Sequence, residues 1–154
     1  LDVDCINYGF SGNGRMETPI VELISEIDAR FYVIECLQNM DSEQVSERVK
    51  PLVDIIRTKH PNTPIVLVEN MMYTMAFLDQ TQETRLIQEN AALKNEYDKI
   101  IKSGIPNIFY IKDNKDFLLD NEGTVDGVHL TDLGFLRYAD YLMENFKKFK
   151  LIKD

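Results

Sequence analysis

Four short runs rich in β-branched and aromatic residues recur along this chain, and the intervals between them carry a helical period. The runs are Val3–Asn7, Phe31–Leu37, Ile65–Val68 and Ile108–Ile111. Each is too short for a buried helix and has strand-like composition. Between them, Val45, Val49, Leu52, Val53 and Ile56 follow the 3.6-residue spacing, as do Leu86, Asn90, Leu93, Tyr97 and Ile100. Ile20, Ile24 and Ile27, with Val21 and Leu23 beside them, mark an earlier helix; Phe135, Ala139, Leu142, Met143 and Phe146 mark the last. Strand, helix, strand, helix with short connections predicts an α/β fold: a parallel sheet with helices on both faces.

Local signals set the ends. Asp41 and Ser42 are N-cap candidates for the second helix, and Pro51 inside it predicts a kink or a restart. The third helix is expected over 81–103 with Gly104 as its C′ residue. Thr131 is the expected N-cap of the last, with Asp132 as a first-turn acid. A length of 154 residues with 44% apolar and 28% charged residues suits one domain with a real core. The formal net charge of −9 repels phosphate backbones, so nucleic acid is not an expected partner. No run nears the ~18 apolar residues needed to cross a bilayer. Cys5 and Cys36 lie in strand-like runs and are read as small buried hydrophobes without metal spacing.

In open α/β sheets, ligands bind beyond the carboxyl ends of the strands. That edge collects Gly9–Arg15, Gln38–Met40, Glu69–Tyr73 and, after the fourth strand, Thr124–His129. His60 precedes the third strand and falls on the opposite edge. His129 is therefore the histidine that can act as a base, and Asp126, three residues earlier, can hold its tautomer and stabilise an imidazolium. Position alone leaves a catalytic pair and a structural histidine equally open. A metal site of Asp126, His129 and Asp132 is disfavoured, because no second histidine or cysteine accompanies them. The glycines after the first run allow close approach of backbone N–H groups to an oxyanion. Ser11 among them is the best-placed nucleophile candidate by position, and Asn39 is a neutral donor after the next run. Glu69 is expected to be a solvated loop carboxylate. Met71, Met72, Met75 and Phe77 either floor an apolar acyl pocket or form a packed loop.

In order, these pieces resemble an SGNH/GDSL-type hydrolase. Asn7-Tyr8-Gly9-Phe10-Ser11-Gly12-Asn13-Gly14 resembles the block whose glycine, here Gly12, gives a backbone oxyanion donor. Asn39 in Cys36-Leu37-Gln38-Asn39-Met40 resembles the block whose asparagine donates to the same oxyanion. Asp126-Gly127-Val128-His129 resembles the block supplying the triad acid and base, and leads into the last helix as family members do. The resemblance implies a three-layer α/β/α, flavodoxin-like parallel sheet in the order 2-1-3-4-5. It implies a cofactor-free, metal-free acyl or acetyl esterase of the lipase/acylhydrolase kind, acting on a small ester such as an acylated carbohydrate or lipid. It also implies a bacterial, exported or periplasmic setting.

The family's nucleophile stands in a Gly-Asp-Ser block after an earlier strand, and these residues contain no such block. The expectation is a single domain over 1–154, N-terminally truncated and lacking its first strand. The gap would be filled by closing up, by another chain or by a segment outside this sequence. Ser11 then becomes a disfavoured nucleophile. The alternatives are a flavodoxin-like small-molecule binding domain and a non-catalytic SGNH-like module.

Overall fold

The computed structural model describes residues 4–114, 118 and 120–153. Helix α1 spans Thr18–Ile24, and strand β1 spans Tyr32–Ile34. Helix α2 (Ser42–Lys59), strand β2 (Ile65–Val68), helix α3 (Gln80–Lys102), strand β3 (Ile108–Ile111) and helix α4 (Asp132–Lys148) follow. The strands form one parallel sheet in the order β1-β2-β3. Val66 sits between Val33 and Phe109 in register. The fold is the three-layer α/β/α arrangement expected from the alternation.

Side-chain alternation along the strands sorts the two faces. Tyr32, Ile34, Ile65, Leu67 and Ile108 point into the larger core with Val21 of α1, the α2 stripe, and Leu93 and Ile100 of α3. Val66, Val68 and Ile111 point the other way, against Phe146, Leu151 and Ile152. All five residues of the α2 stripe are buried. Each contributes about 1.5–3 kcal/mol relative to exposure. That burial on both sides of Pro51 carries α2 through the proline as one helix. The hydrogen bond Pro51 cannot donate would have gone to the exposed Glu47, whose carbonyl water can satisfy. Asp41 caps α2 in a capping box: its Oδ1 accepts the Gln44 N–H at 2.8 Å and Gln44 Oε1 accepts the Asp41 N–H at 3.3 Å. Gly104 follows the C-cap of α3 at φ +83°.

Several elements depart from the sequence reading. Residues 4–7 form no strand and lie exposed, with Ile6 64% exposed; Val3 lies outside the described residues. Alternating composition does not make a strand without a neighbouring backbone to pair with. Cys5 is accordingly exposed, whereas Cys36 is half-buried. Helix α1 stops at Ile24, with Val21 as its buried residue, so Ile27 lies beyond it. The predicted face of α4 is buried only in part: Phe146 packs on the sheet, but Phe135 is 62% exposed and Ala139 is exposed too. On the same side of the sheet, Val33 of β1 is exposed. Phe31, just before β1, packs there against Phe146 with ring centroids 5.1 Å apart.

Candidate functional site

The glycine loop is built from its own backbone. Asn7 Oδ1 accepts the Gly9 N–H at 2.6 Å, and the Phe10 carbonyl accepts the N–H groups of Asn13 and Gly14 at 2.9 and 3.1 Å. Gly12 holds φ +69°, a left-handed value that glycine adopts without strain. Arg15 closes the loop by donating to the Gly12 carbonyl at 2.9 Å, and Arg48 of α2 donates to the Arg15 carbonyl at 2.9 Å. The loop is thereby tied to the larger core, although its tip is exposed.

Asn39 ends a short 3-10 turn, Leu37–Asn39, that follows β1. Its Nδ2 donates to the Gly14 carbonyl at 3.4 Å, so its side-chain amide lies against the glycine loop across 25 positions of sequence. The structure thus brings together the Gly12 loop and Asn39. It places both at the carboxyl end of β1, as the strand-edge rule predicts.

Asp126 and His129 sit in a tight loop. An antiparallel bridge joins Thr124 to Leu130, and the Val125 N–H donates to the His129 carbonyl at 2.8 Å. Asp126 Oδ2 lies 2.8 Å from His129 Nδ1. Its Oδ1 accepts the backbone N–H groups of His129 and Val128 at 2.8 and 3.0 Å. These donors, the His129 backbone N–H first, hold the Asp126 carboxyl down at about 2. The His129 side chain is 80% exposed. Among the described residues, no hydrogen bond joins Ser11 to His129.

The loop after β2 supports this turn. Thr74 Oγ1 lies 2.9 Å from Thr124 Oγ1 and donates to the Gly127 carbonyl at 3.3 Å. Gly127 has φ +87°, and a Cβ there would sit 2.7 Å from the Met75 Cβ. Met71 and Met72 pack with Tyr73, Ala76 and Leu86, so that part of the methionine run is a packed loop; the Phe77 side chain lies outside the described residues. Thr131 caps α4 through the Gly134 N–H at 3.1 Å, and Asp132 is its first-turn acid, as expected.

Glu69 is not solvated. It is buried at the end of β2, accepting from the Tyr110 hydroxyl at 2.5 Å and the Asp113 N–H at 2.7 Å. Asp113 Oδ2 in turn accepts the Met72 N–H at 3.2 Å. Burial, then the bond to Glu69, pushes the Tyr110 hydroxyl well above its usual range. His60 lies at the opposite edge, as predicted. Its Nε2 is 2.9 Å from the Ser25 carbonyl oxygen, and its ring is tilted against Tyr32. Sequence reasoning missed the tie from Arg85 of α3 to the Gln38 and Met40 carbonyls, at 2.8 and 3.2 Å. The one available signal was the Arg85/Glu89 spacing of four, which ordinarily marks a surface pair.

The GDSL-like lipase/acylhydrolase family profile matches residues 1–147. Two solved structures are similar. A protein from Bacteroides ovatus, described as a GDSL-like lipase, is 30% identical with a TM-score of 0.88; the match covers 92% of this chain and 42% of that one. The salicylyl-acyltransferase SsfX3 of a tetracycline biosynthetic pathway is 15% identical with a TM-score of 0.76, covering 92% of this chain and 44% of that one. The second likeness is one of fold. The chain spans less than half the length of either structure. No curated protein sequence matches it.

Proposed function

The chain belongs to the GDSL-like lipase/acylhydrolase family, and from that membership we propose that it supplies the base, acid and oxyanion donors of an ester hydrolase. The observation that carries this reading is the Asp126–His129 geometry. One carboxylate oxygen fixes the backbone of the turn while the other faces His129 Nδ1. That arrangement selects the tautomer with its proton on Nδ1 and leaves the Nε2 lone pair to act as a base.

The attacking hydroxyl belongs to a serine upstream of Leu1. His129 Nε2 takes its proton as the serine oxygen bonds to the ester carbonyl carbon. The carbonyl oxygen becomes an oxyanion, held by the Gly12 N–H and Asn39 Nδ2. Collapse expels the alcohol, which takes the proton from His129. Water then adds to the acyl-serine by the same route, releasing the carboxylic acid and restoring the serine. The side-chain amide of Asn39 lying against the glycine loop supports the pairing of these two donors. The proposed substrate is a small acyl or acetyl ester, such as an acylated carbohydrate or lipid.

Hydrolysis of a short-chain aryl ester tests this, with the 154-residue chain assayed beside a longer chain carrying the upstream sequence. The longer chain is expected to be active and the shorter nearly inactive. His129→Ala is expected to abolish activity in the longer chain, while Ser11→Ala leaves most of it. Equal activity in both chains would place the nucleophile within these residues and overturn the upstream assignment.

A further inference from the structure

The side chain of Arg85 carries helix α3 to the backbone of the Asn39 turn. Arg85 Nη2 donates to the carbonyls of Gln38 and Met40, the residues on either side of Asn39. Its Nε donates to Glu89 Oε1 at 2.5 Å. Glu89 is fully buried, and its second oxygen accepts from Asn70 Nδ2 at 3.0 Å. Asn70, also fully buried, is locked in turn: its N–H donates to Asn90 Oδ1 and its carbonyl accepts from Asn90 Nδ2, both at 2.8 Å. A chain of polar contacts therefore runs from the end of β2, through α3, to the backbone around Asn39.

A buried carboxylate is costly, and an apolar pair of similar volume would serve stability as well or better. Burial pushes the Glu89 carboxyl up, opposed by the bonds from Asn70 and Arg85. What the arrangement does provide is direction. A guanidinium is a rigid planar fork, and with one edge fixed on Glu89 the other can meet only carbonyls in one place. The 3-10 turn carries two backbone bonds of its own, the Asn39 N–H to the Cys36 carbonyl at 3.2 Å and the Met40 N–H to the Leu37 carbonyl at 2.9 Å. Leu37 and Met40 are buried in the core and Gln38 Nε2 donates to Glu35 Oε1, while Arg85 holds the Gln38 and Met40 carbonyls.

We propose that Arg85 is a positioning residue, oriented by Glu89 and Asn70, that fixes the turn presenting the Asn39 amide to the glycine loop. Its functional consequence rests on the reading of Asn39 as an oxyanion donor, and the two parts are tested separately.

The structural part is read by amide hydrogen exchange of Asn39 and Met40 in the 154-residue chain. Arg85→Met is expected to raise exchange there about tenfold or more, since the turn then opens locally, with the amides of α2 unchanged. Unchanged exchange at Asn39 and Met40 overturns the proposal. If Arg85→Met does not fold, Arg85→Lys replaces it. A point charge can stay on Glu89 without spanning both carbonyls, so faster exchange is again expected and wild-type exchange again overturns the proposal.

The functional part is read in the longer, active chain on the aryl ester. Arg85→Met is expected to lower kcat by about tenfold or more, as misplacement of a catalytic group does. KM is expected to stay within about twofold. In an Asn39→Ala background, the Arg85 change is expected to cost nothing further. A full, additive loss there means that Arg85 acts elsewhere and overturns the link to Asn39. If Asn39→Ala alone leaves kcat intact, the oxyanion reading fails and takes that link with it, while the exchange result still decides whether Arg85 holds the turn.

Discussion

Asp126 grips His129 at two points: one carboxylate oxygen lies 2.8 Å from the imidazole Nδ1, and the other accepts the same residue's backbone N–H at 2.8 Å. The acid thus fixes both where the turn runs and which way the ring faces. This pair is exposed, so its geometry owes more to local hydrogen bonding than to burial.

The carboxyl of Asp126 sits at about 2 in the folded chain, below its ordinary 3.8. A depressed folded value means that the turn's stabilisation is fully present above about pH 4 and is lost as pH falls towards 2. An NMR titration of the Asp126 carboxyl carbon is expected to show a midpoint near 2. A midpoint near 4 would mean that the backbone donors do not engage it.

Gly12 and Gly134 should respond very differently to alanine. A Cβ at Gly12 meets nothing within 4 Å, so the cost is that of the left-handed backbone alone, about 1–2 kcal/mol. A Cβ at Gly134 would sit 2.0 Å from the Gly123 carbonyl oxygen, which also accepts the Thr131 N–H. Gly134→Ala must push α4 away from the turn at Gly123 and is expected to cost more than about 3 kcal/mol. Urea denaturation of the two variants checks the order; equal losses would contradict the close packing.

Tyr110→Phe removes the hydroxyl donor from the buried carboxyl of Glu69 and leaves it the Asp113 N–H. The expected loss is about 1–3 kcal/mol in urea denaturation. A neutral result would mean that water reaches Glu69.

The two thiols should separate cleanly. Burial first, then the Glu35 charge, pushes the Cys36 thiol up to about 12, so it carries almost no thiolate at pH 8. Cys5 is exposed. Alkylation with iodoacetamide at pH 8 is expected to label Cys5 readily and leave Cys36 unmodified until the chain is denatured.

Much of this architecture was legible in residue order. Three of the four apolar runs became strands, because Tyr32–Ile34, Ile65–Val68 and Ile108–Ile111 pair with one another. Val3–Asn7 has the same composition but residues 4–7 gain no such partner, and pairing is not written in the run itself. The α2 stripe was read residue for residue, since one face of a long helix meets one core. The α4 stripe was legible only in part: Phe146 is buried on the sheet, whereas Phe135 is 62% exposed. The glycine loop, Asn39, Asp126 and His129 were legible as ordered blocks. Arg85 was not, because an Arg/Glu pair four residues apart looks the same whether its carboxylate is in water or, like Glu89, fully buried.

The central claim is that His129 activates a serine lying outside these residues, and covalent capture tests it most directly. The longer chain would be treated with a fluorophosphonate, which reacts with an activated serine, and the modified peptide identified by mass spectrometry. The account predicts a single labelled serine upstream of Leu1, with labelling lost in His129→Ala and retained in Ser11→Ala. Label on Ser11 would contradict it.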